Sequence, residues 1–267
     1  MSNSEYLMES PDEALRLDLK ADPQILVKEA TWAGIKPGMR VADLGCGPGK
    51  TTYHLNKLVQ PNGSVTGIDI SKQRIEYAQS NYQDVGLEFH LGDIRKPLDH
   101  IASFDFIWIR FVLEHFRKNS FDIVKNIISI LKPGGILCLV DLDFNCLIHH
   151  GIPARLEEAL FGLMGLLEEQ DNFDPYVGRK FYSYLYDLGF HDIDIDITTH
   201  HLIYGELKEI DERNWLYKVE VAARASGYPF NEFSGGYDEF KSEFLSFFRD
   251  HRRFTYTPII LARGRKP

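Results

Sequence analysis

Three glycines spaced two residues apart follow a short apolar run near the start of the chain. The run ends at Leu44, and the glycines are Gly45, Gly47 and Gly49. Such a run predicts a buried strand, and the periodic residues 51–58 predict a helix directly after it. Glycine accepts a positive φ and has no Cβ, so backbone amides in this turn can approach a ligand closely. With the unpaired N–H groups of the helix start, the turn suits a nucleotide-like or carboxylate-bearing ligand, although glycine turns also serve only to reverse a chain.

Four further apolar segments follow this turn, and helical segments separate them. The predicted strands are residues 64–69, 87–91, 104–109 and 136–142. Alternation of strands and helices predicts a parallel sheet covered by helices on both faces, with ligands at the carboxyl ends of the strands. We therefore predict an α/β fold for the first half of the chain.

The second half of the chain is less regular. Residues 153–169 and 175–188 are predicted amphipathic helices, and residues 191–202 alternate isoleucine with aspartate over part of their length. Alternation with period two predicts a strand with one solvated face, close to a sheet edge. A last strand is predicted at residues 255–262. The roughly fifty residues before it are too many for a hairpin loop and read as two helices.

Two acids stand at the ends of predicted strands. Asp69 lies 20 residues after Gly49, the separation at which an acid after the second strand can bind both hydroxyls of a ribose. Asp93 follows the third strand, where the edge of an adenine would lie. Its carboxylate can accept from an exocyclic amino group, and Ile94 can pack on the ring. Each acid can also serve as a helix cap or a local turn.

Composition limits the partners and the chemistry. The 267 residues carry 30 Lys and Arg against 39 Asp and Glu, a formal charge of -9 that disfavours nucleic acid as a partner. Three cysteines without CxxC spacing imply neither a disulfide framework nor a metal site. The N-terminal segment lacks the pattern of a signal peptide, and the longest apolar run is too short for a membrane span. We expect a cytoplasmic protein with a small-molecule substrate and no membrane partner.

Four signals in order resemble the class I S-adenosylmethionine-dependent methyltransferases. They are Asp43-Leu-Gly-Cys-Gly-Pro-Gly49, then Asp69, then Gly92-Asp93, then Leu131-Lys-Pro-Gly-Gly135 before a strand. The resemblance covers residues 32–142 strongly, and residues 176–202 and the terminal strand more loosely. It implies a Rossmann-like, doubly wound sheet of seven strands, mostly parallel with an antiparallel last strand, plus helical cap insertions.

The resemblance also implies a cofactor, S-adenosyl-L-methionine, and assigns contacts to it. The glycine turn lies against its methionine part, Asp69 binds the ribose and Asp93 meets the adenine. Arg110, directly after the fourth strand, touches the cofactor or faces the substrate. The complete predicted cofactor-binding set is Asp43, Gly45, Cys46, Gly47, Gly49, Asp69, Ile70, Asp93, Ile94 and Arg110.

The same resemblance divides the chain into a cofactor domain and covering segments. Residues 35–203 and 254–267 form the predicted cofactor domain, and residues 144–174 are a helical cap inserted into it. Residues 204–253 form a helical insertion that is expected to cap the substrate. Residues 1–34 are predicted helices over the cofactor site, starting at a Ser10 cap and divided near Pro23.

Catalytic residues are the least specified part of the sequence. Methyl transfer needs alignment, a dry pocket and, for a hydroxyl or ammonium substrate, a proton acceptor. His115 and Arg110 are the predicted catalytic residues, and His115 can equally serve in packing. Further candidates are Glu114, Asp141, Asp143, His149 and His150. The aromatic-rich cap and the negative net charge favour an aromatic or otherwise apolar acceptor, of unknown methylated atom.

Two alternative functions share parts of this pattern. A nicotinamide-dependent dehydrogenase also binds a ribose through an acid, but its GxGxxG turn needs a glycine where this chain has Lys50. A protein that binds S-adenosylmethionine without catalysis would keep every motif. The sequence disfavours the first alternative and leaves the second open.

Overall fold

The computed structural model describes residues 13–98 and 101–267, and a mixed β-sheet organises them. Its strands, in chain order, are β1 (Arg40–Leu44), β2 (Ser64–Asp69), β3 (Leu87–Leu91), β4 (Phe104–Arg110), β5 (Leu131–Leu142), β6 (His149–His150), β7 (His191–Tyr204) and β8 (Phe254–Arg265). The strand order is β3-β2-β1-β4-β5-β8-β6, and β7 pairs with β8 as well.

Strand directions confirm the predicted Rossmann-like arrangement. β1 to β5 run parallel, whereas β8 is antiparallel to both β5 and β7. The sheet therefore has the seven predicted strands with an antiparallel last strand. An eighth strand, the two-residue β6, was not predicted. It pairs His149 with Thr255 at the start of β8, where β8 extends past the end of β5.

The α-helices cover the sheet and build a cap at one edge. They are α1 (Glu13–Lys20), α2 (Pro23–Ala33), α3 (Lys50–Val59), α4 (Lys72–Asn81), α5 (Ser120–Ile127), α6 (Ala154–Gln170), α7 (Phe181–Asp187), α8 (Glu209–Ser226) and α9 (Gly236–Phe248). The predicted break near Pro23 is confirmed, because Asp22 Oδ1 accepts from the Gln24 amide at 2.8 Å and starts α2. The predicted Ser10 cap lies outside the described residues.

Three sequence predictions differ from the structure. Strand β5 begins at Leu131, before the Lys-Pro-Gly-Gly turn, because Leu131 already pairs with Phe104. The helix predicted at residues 175–188 is a 3-10 turn, Val177–Lys180, followed by the short α7. On β7, Ile193 packs against the core, but Ile195 and Ile197 are 38% and 65% exposed. A helix of seven residues is only ~10 Å long, so α7 cannot cover a strand of 14 residues.

The sheet is buried on both faces. Along β4, Phe106 and Trp108 pack with α2 and α3, whereas Ile107 and Ile109 pack with α5 and α7. All four side chains are fully buried, as expected for a strand with helices on both sides. This rigid layer fixes the carboxyl ends of β1 to β5 at one edge, where the polar side chains described below are found.

The cap has an apolar core of its own. Helices α6, α8 and α9 contribute to one buried cluster around Trp215. On α9, Phe240, Phe244 and Phe247 share one helix face, and all three are buried, so this aromatic stripe is core. No helix within residues 13–98 and 101–267 is both long and apolar enough to cross a bilayer.

Candidate active site

The turn after β1 carries the three glycines, and all three have a positive φ: 76° at Gly45, 56° at Gly47 and 92° at Gly49. A Cβ at Gly45 would collide with Val112, and a Cβ at Gly49 would lie 2.7 Å from the Cβ of Ala78. These two positions need glycine for packing as well as for backbone conformation. Gly47 differs, because no atom of the described residues beyond its chain neighbours lies within 4 Å of its Cβ position. Its backbone borders open space.

Asp69, the last residue of β2, ties that strand to the glycine turn. Its Oδ2 accepts a hydrogen bond from the Gly47 amide at 2.9 Å, and its Oδ1 accepts one from the Ser71 amide at 2.8 Å. Arg74 Nε also donates to Oδ1, at 3.2 Å, and both side chains of this ion pair are buried. The sequence-based reasoning identified Asp69 but missed Arg74. The contact of Asp69 with a ribose stays a prediction.

Asp93 follows β3 and is held by Arg95. The guanidinium donates to both carboxylate oxygens, at 2.8 Å from Nε to Oδ1 and at 2.9 Å from Nη2 to Oδ2. The hydrogen bonds from the Arg95 side chain keep the pKa of Asp93 below its usual value, so the carboxylate is ionised at neutral pH. Ile94 is buried beside it, and Ile70, after β2, is 53% exposed. The contact of Asp93 with an adenine stays a prediction.

Asp43 and Cys46 are buried below the glycine turn. Thr52 Oγ1 donates to Asp43 Oδ2 at 2.7 Å, which joins β1 to the first turn of α3. Burial raises the pKa of Asp43 to about 7. Burial likewise raises the pKa of the Cys46 thiol well above its usual value, so Cys46 is a packing group rather than a nucleophile.

Arg110 ends β4 and is anchored by α2. Its Nε donates to Glu29 Oε2 at 2.9 Å, and both side chains are largely buried. The guanidinium carbon lies 4.0 Å from the ring centroid of Phe111, a residue with a positive φ of 57°. This strained turn and the ion pair direct Arg110 across the carboxyl edge of the sheet.

His115 and Glu114 follow β4 in a 3-10 turn. His115 Nε2 lies 3.7 Å from Glu114 Oε1, and Glu114 Oε2 accepts from Asn145 Nδ2 at 2.9 Å. Asp141, at the end of β5, accepts from the Glu114 amide at 3.2 Å. Burial lowers the pKa of His115, so its imidazole is neutral at physiological pH and can accept a proton.

These groups meet in one cavity of about 1170 Å³ at the carboxyl edge of the sheet. Helix α1 closes one side, and the cap helices α6 and α8 close another. All residues of the predicted cofactor-binding set line it except Gly49, which packs against Ala78 and Phe89 beneath the turn. The cavity also takes in both predicted catalytic residues, Arg110 and His115.

The other predicted proton acceptors divide into two groups. Glu114 lines the cavity, but four candidates are not among its described lining residues: Asp141, Asp143, His149 and His150. His149 has a packing role instead. Its Nδ1 lies 2.9 Å from Thr255 Oγ1, and its ring centroid lies 5.4 Å from that of Trp215. Burial lowers the pKa of His149 to about 4, which keeps this ring uncharged within the cap.

Besides Arg74 and Arg95, further titratable cavity residues escaped sequence-based identification, and four of them are considered below. Lys20 comes from α1, His200 and His201 from the end of β7, and Lys218 from α8. They are far apart in the chain and belong to no local motif, so only the folded structure brings them together. A helical periodicity does place residues on one face of α8, but it does not reveal which partner that face meets.

The sequence is similar to one family model and to several curated proteins. Residues 35–182, more than half of the chain, match the family model described as Methyltransferase domain. The chain is 31% identical over 106 residues to the demethylmenaquinone methyltransferase of Lactococcus lactis subsp. lactis, a match covering 38% of this chain and 42% of that protein. It is 30% identical over 140 residues to the phthiotriol/phenolphthiotriol dimycocerosates methyltransferase of Mycobacterium leprae, covering 50% of each. The matches thus span half or less of these curated relatives.

A solved structure extends the likeness to the whole fold. Phosphoethanolamine N-methyltransferase 2 of Haemonchus contortus, in complex with phosphomonomethylethanolamine and S-adenosylhomocysteine, matches with a TM-score of 0.55. The match covers 91% of this chain and 52% of that one at 17% sequence identity. At this identity the comparison shows a shared fold.

Proposed function

The chain belongs to the methyltransferase domain family, and from this premise we propose that it is an S-adenosylmethionine-dependent methyltransferase acting on a small-molecule acceptor. One observation carries the proposal most directly. The glycine turn and the acid after β2 are joined by the hydrogen bond from Gly47 to Asp69, at the wall of a large cavity. Three of the four sequence signals, the glycine turn, Asp69 and Gly92-Asp93, meet at that same edge, whereas the Lys-Pro-Gly-Gly turn lies at the opposite end of β5.

The residues present suit S-adenosylmethionine. Gly47 leaves open space beside its backbone, where the methionine part of the cofactor can lie close to the chain. Asp69 ends β2 and Asp93 lies two residues after the adjacent β3, so the ribose and the adenine can bind side by side. When bound, the cofactor supplies an electrophilic methyl group on a sulfonium. The predicted cofactor-binding set is retained in this proposal, with Gly49 shaping the turn from beneath instead of lining the cavity.

Arg110 and His115 are the proposed groups nearest the acceptor. Arg110 is fixed by Glu29 and Phe111, so it orients what lies beside it without rearrangement. His115 is neutral because burial lowers its pKa. It can therefore take the proton that a hydroxyl or ammonium acceptor loses when it is methylated.

The cavity is large enough for two ligands. Pockets for one small ligand are roughly 300 to 1,000 Å³, and this one is about 1170 Å³. Residues of α1 line one part of it, which supports the proposal that residues 1–34 cover the cofactor. Side chains of α6 and α8 line the other part. This supports the proposal that residues 144–174 and 204–253 form the cap over the acceptor.

The proposal includes the finer expectations on partners and location. The net charge of -9 supports a small-molecule acceptor over nucleic acid. Three free cysteines, two of them buried, support a cytoplasmic location, since thiols persist in a reducing compartment.

Methylation of a metabolite extract tests the function. The protein would be incubated with S-adenosylmethionine that carries a trideuterated methyl group, and products would be read by mass spectrometry. We expect at least one small molecule to gain the labelled methyl, and none in a control without protein. Tight binding of the cofactor with no labelled product across extracts would instead support a non-catalytic binding protein.

A further inference from the structure

Four lysines line the cavity without a carboxylate partner among the described residues, and two of them, Lys20 and Lys218, are close enough for the charge of one to act on the other. Lys20, the last residue of α1, and Lys218, in the middle of α8, both line it. The Lys218 ammonium lies 3.7 Å from the Cys146 sulfur and 5.6 Å from the ring centroid of Trp215. Across the part of the chain that the structure describes, no salt bridge reaches either ammonium. Most other cations near the site are paired, as Arg110 is with Glu29.

The charge of Lys218 acts on Lys20. Burial and the charge of Lys218 lower the pKa of Lys20 well below its usual value, and Arg16 adds to this effect. Glu114 and Cys146 oppose it, but the Glu114 carboxylate is already engaged by Asn145. Two like charges facing one apolar enclosure are unfavourable unless an anion joins them.

Two uncharged imidazoles lie beside the two lysines. His200 and His201 lie close enough for both lysine charges to act on them, and burial lowers the pKa of both rings. These imidazoles are therefore neutral and provide hydrogen-bonding groups rather than compensating charge. The walls beyond them are apolar, with Leu163 and Met164 from α6 and Val219 from α8.

The position of the lysines separates them from the cofactor contacts. Their neighbours Glu114 and Cys146 follow β4 and β5, and their neighbour His200 lies on β7. Asp69 and Asp93 follow β2 and β3, on the other side of β1 in the sheet order. Lys218 thus belongs to the half of the cavity beneath the cap, where the acceptor is proposed to bind, and Lys20, at the end of the helix proposed to cover the cofactor, faces this half from its border.

We infer that the methyl acceptor carries an anionic group, a carboxylate or a phosphate, on an apolar body, and that Lys20 and Lys218 bind this group. The inference rests on the proposed function, since it assigns the acceptor half of that same cavity. Ammonium groups bind carboxylates and phosphates through charge-assisted hydrogen bonds. The apolar wall would hold the rest of the molecule. This refines the sequence-based preference for an apolar acceptor by adding a charge to it.

Three probes with one apolar body and different charge test the inference. 1-Naphthoate, 1-naphthyl phosphate and the neutral 1-naphthamide would be titrated calorimetrically into the whole protein, with and without saturating S-adenosylhomocysteine. At least one anion should bind roughly tenfold or more tightly than the amide. Lys20→Met and Lys218→Met should each remove most of that preference while affinity for 1-naphthamide is retained. Lys20→Arg should preserve the preference.

The controls separate the competing outcomes. Lys125→Met changes an exposed lysine on α5 and should leave all three affinities unchanged. Equal binding of the amide and both anions, or an anion preference that survives both methionine variants, would overturn the inference. The inference would also be overturned if the lysine variants no longer bind S-adenosylhomocysteine but still bind 1-naphthoate, because the lysines would then bind the cofactor. Failure of the wild type to bind S-adenosylhomocysteine would contradict the proposed function alone, since anion preference is also measured without it.

Discussion

The Gly47 amide donates a hydrogen bond of 2.9 Å to Asp69 Oδ2. This bond joins the turn after β1 to the end of β2, and it holds the backbone of the open glycine beside the acid proposed to bind the ribose. The same carboxylate pairs with Arg74. Shape and charge at the cofactor end of the cavity therefore depend on one side chain.

Asp69→Ala should weaken S-adenosylmethionine binding by ~1 to 3 kcal/mol, because buried hydrogen-bonding groups lose their partner. It should also lower the thermal midpoint of the ligand-free protein, since the hydrogen bonds from the Gly47 amide and from Arg74 to Asp69 are lost. Calorimetry and thermal melts would measure the two effects. Asp187→Ala, at an exposed end of α7, is the matched control. Wild-type affinity in Asp69→Ala would remove Asp69 from the site.

Two glycine substitutions should separate binding from folding. Gly47→Ala places a methyl group in open space beside the cavity. Its stability cost should be limited to the left-handed backbone, ~1 to 2 kcal/mol, while cofactor affinity falls by about tenfold, or ~1.4 kcal/mol.

Gly49→Ala should reduce stability more than it reduces cofactor affinity. Its Cβ would lie 2.7 Å from Ala78 and 2.8 Å from Phe89, so overpacking adds ~1 to 3 kcal/mol to the backbone cost. Urea unfolding of both variants compares these costs. Equal loss of stability in the two would show that Gly47 is constrained by packing after all.

The pH dependence of stability should contain a contribution from Asp43. Its pKa is raised by burial from 3.8 to about 7 in the folded protein. Between these values the folded state holds a proton that the unfolded state has lost, so the free energy of unfolding falls as the pH rises through this range.

Asp43→Asn should remove this fall in the free energy of unfolding, which is on the order of a few kcal/mol over the whole pH range. The amide oxygen can still accept from Thr52, so the hydrogen bond to α3 is retained. Urea unfolding at several values between pH 4 and pH 8 would measure it. A slope identical to that of the wild type would show that Asp43 is ionised in the folded protein throughout.

Cofactor and acceptor binding should protect the cap from proteolysis. Arg213 and Arg224 are exposed on α8, a helix that also lines the cavity. Opening the cap would break ligand contacts, so trypsin should cut at these residues more slowly when the cavity is filled. Peptide mapping with and without S-adenosylhomocysteine and 1-naphthoate provides the measurement. Unchanged cleavage at both sites would argue against a lid.

Much of the fold was predictable because local patterns determine it. Runs such as residues 41–44 and 104–109 could only form buried strands, and Gly45 and Gly49 marked a turn that excludes side chains. The predicted strands were wrong where strand pairing overrides the local sequence pattern. Leu131 joins β5 through its partner Phe104, and β6 exists only because β8 extends beyond β5.

The site was predictable in its cofactor half and not in its acceptor half. Asp69 and Asp93 belong to a regular βα series, so their position in the sequence indicates their position in space. Lys20 and Lys218 meet only after a cap of three helices has folded over the sheet. The sequence around either lysine does not indicate that the two will lie close together. The ion pairs of Arg74 with Asp69 and of Arg95 with Asp93 were not predicted either. An arginine close in sequence to an acid is usually solvated.

Calorimetric titration with S-adenosylmethionine and, separately, with NADH tests the central claim most directly. Both ligands carry an adenosine, but the turn ending in Lys50 and the pair Asp69 and Asp93 are proposed to bind only the first. The account predicts saturable one-to-one binding of S-adenosylmethionine, weakened in Gly47→Ala, and no binding of NADH. Binding of NADH without binding of S-adenosylmethionine would contradict it.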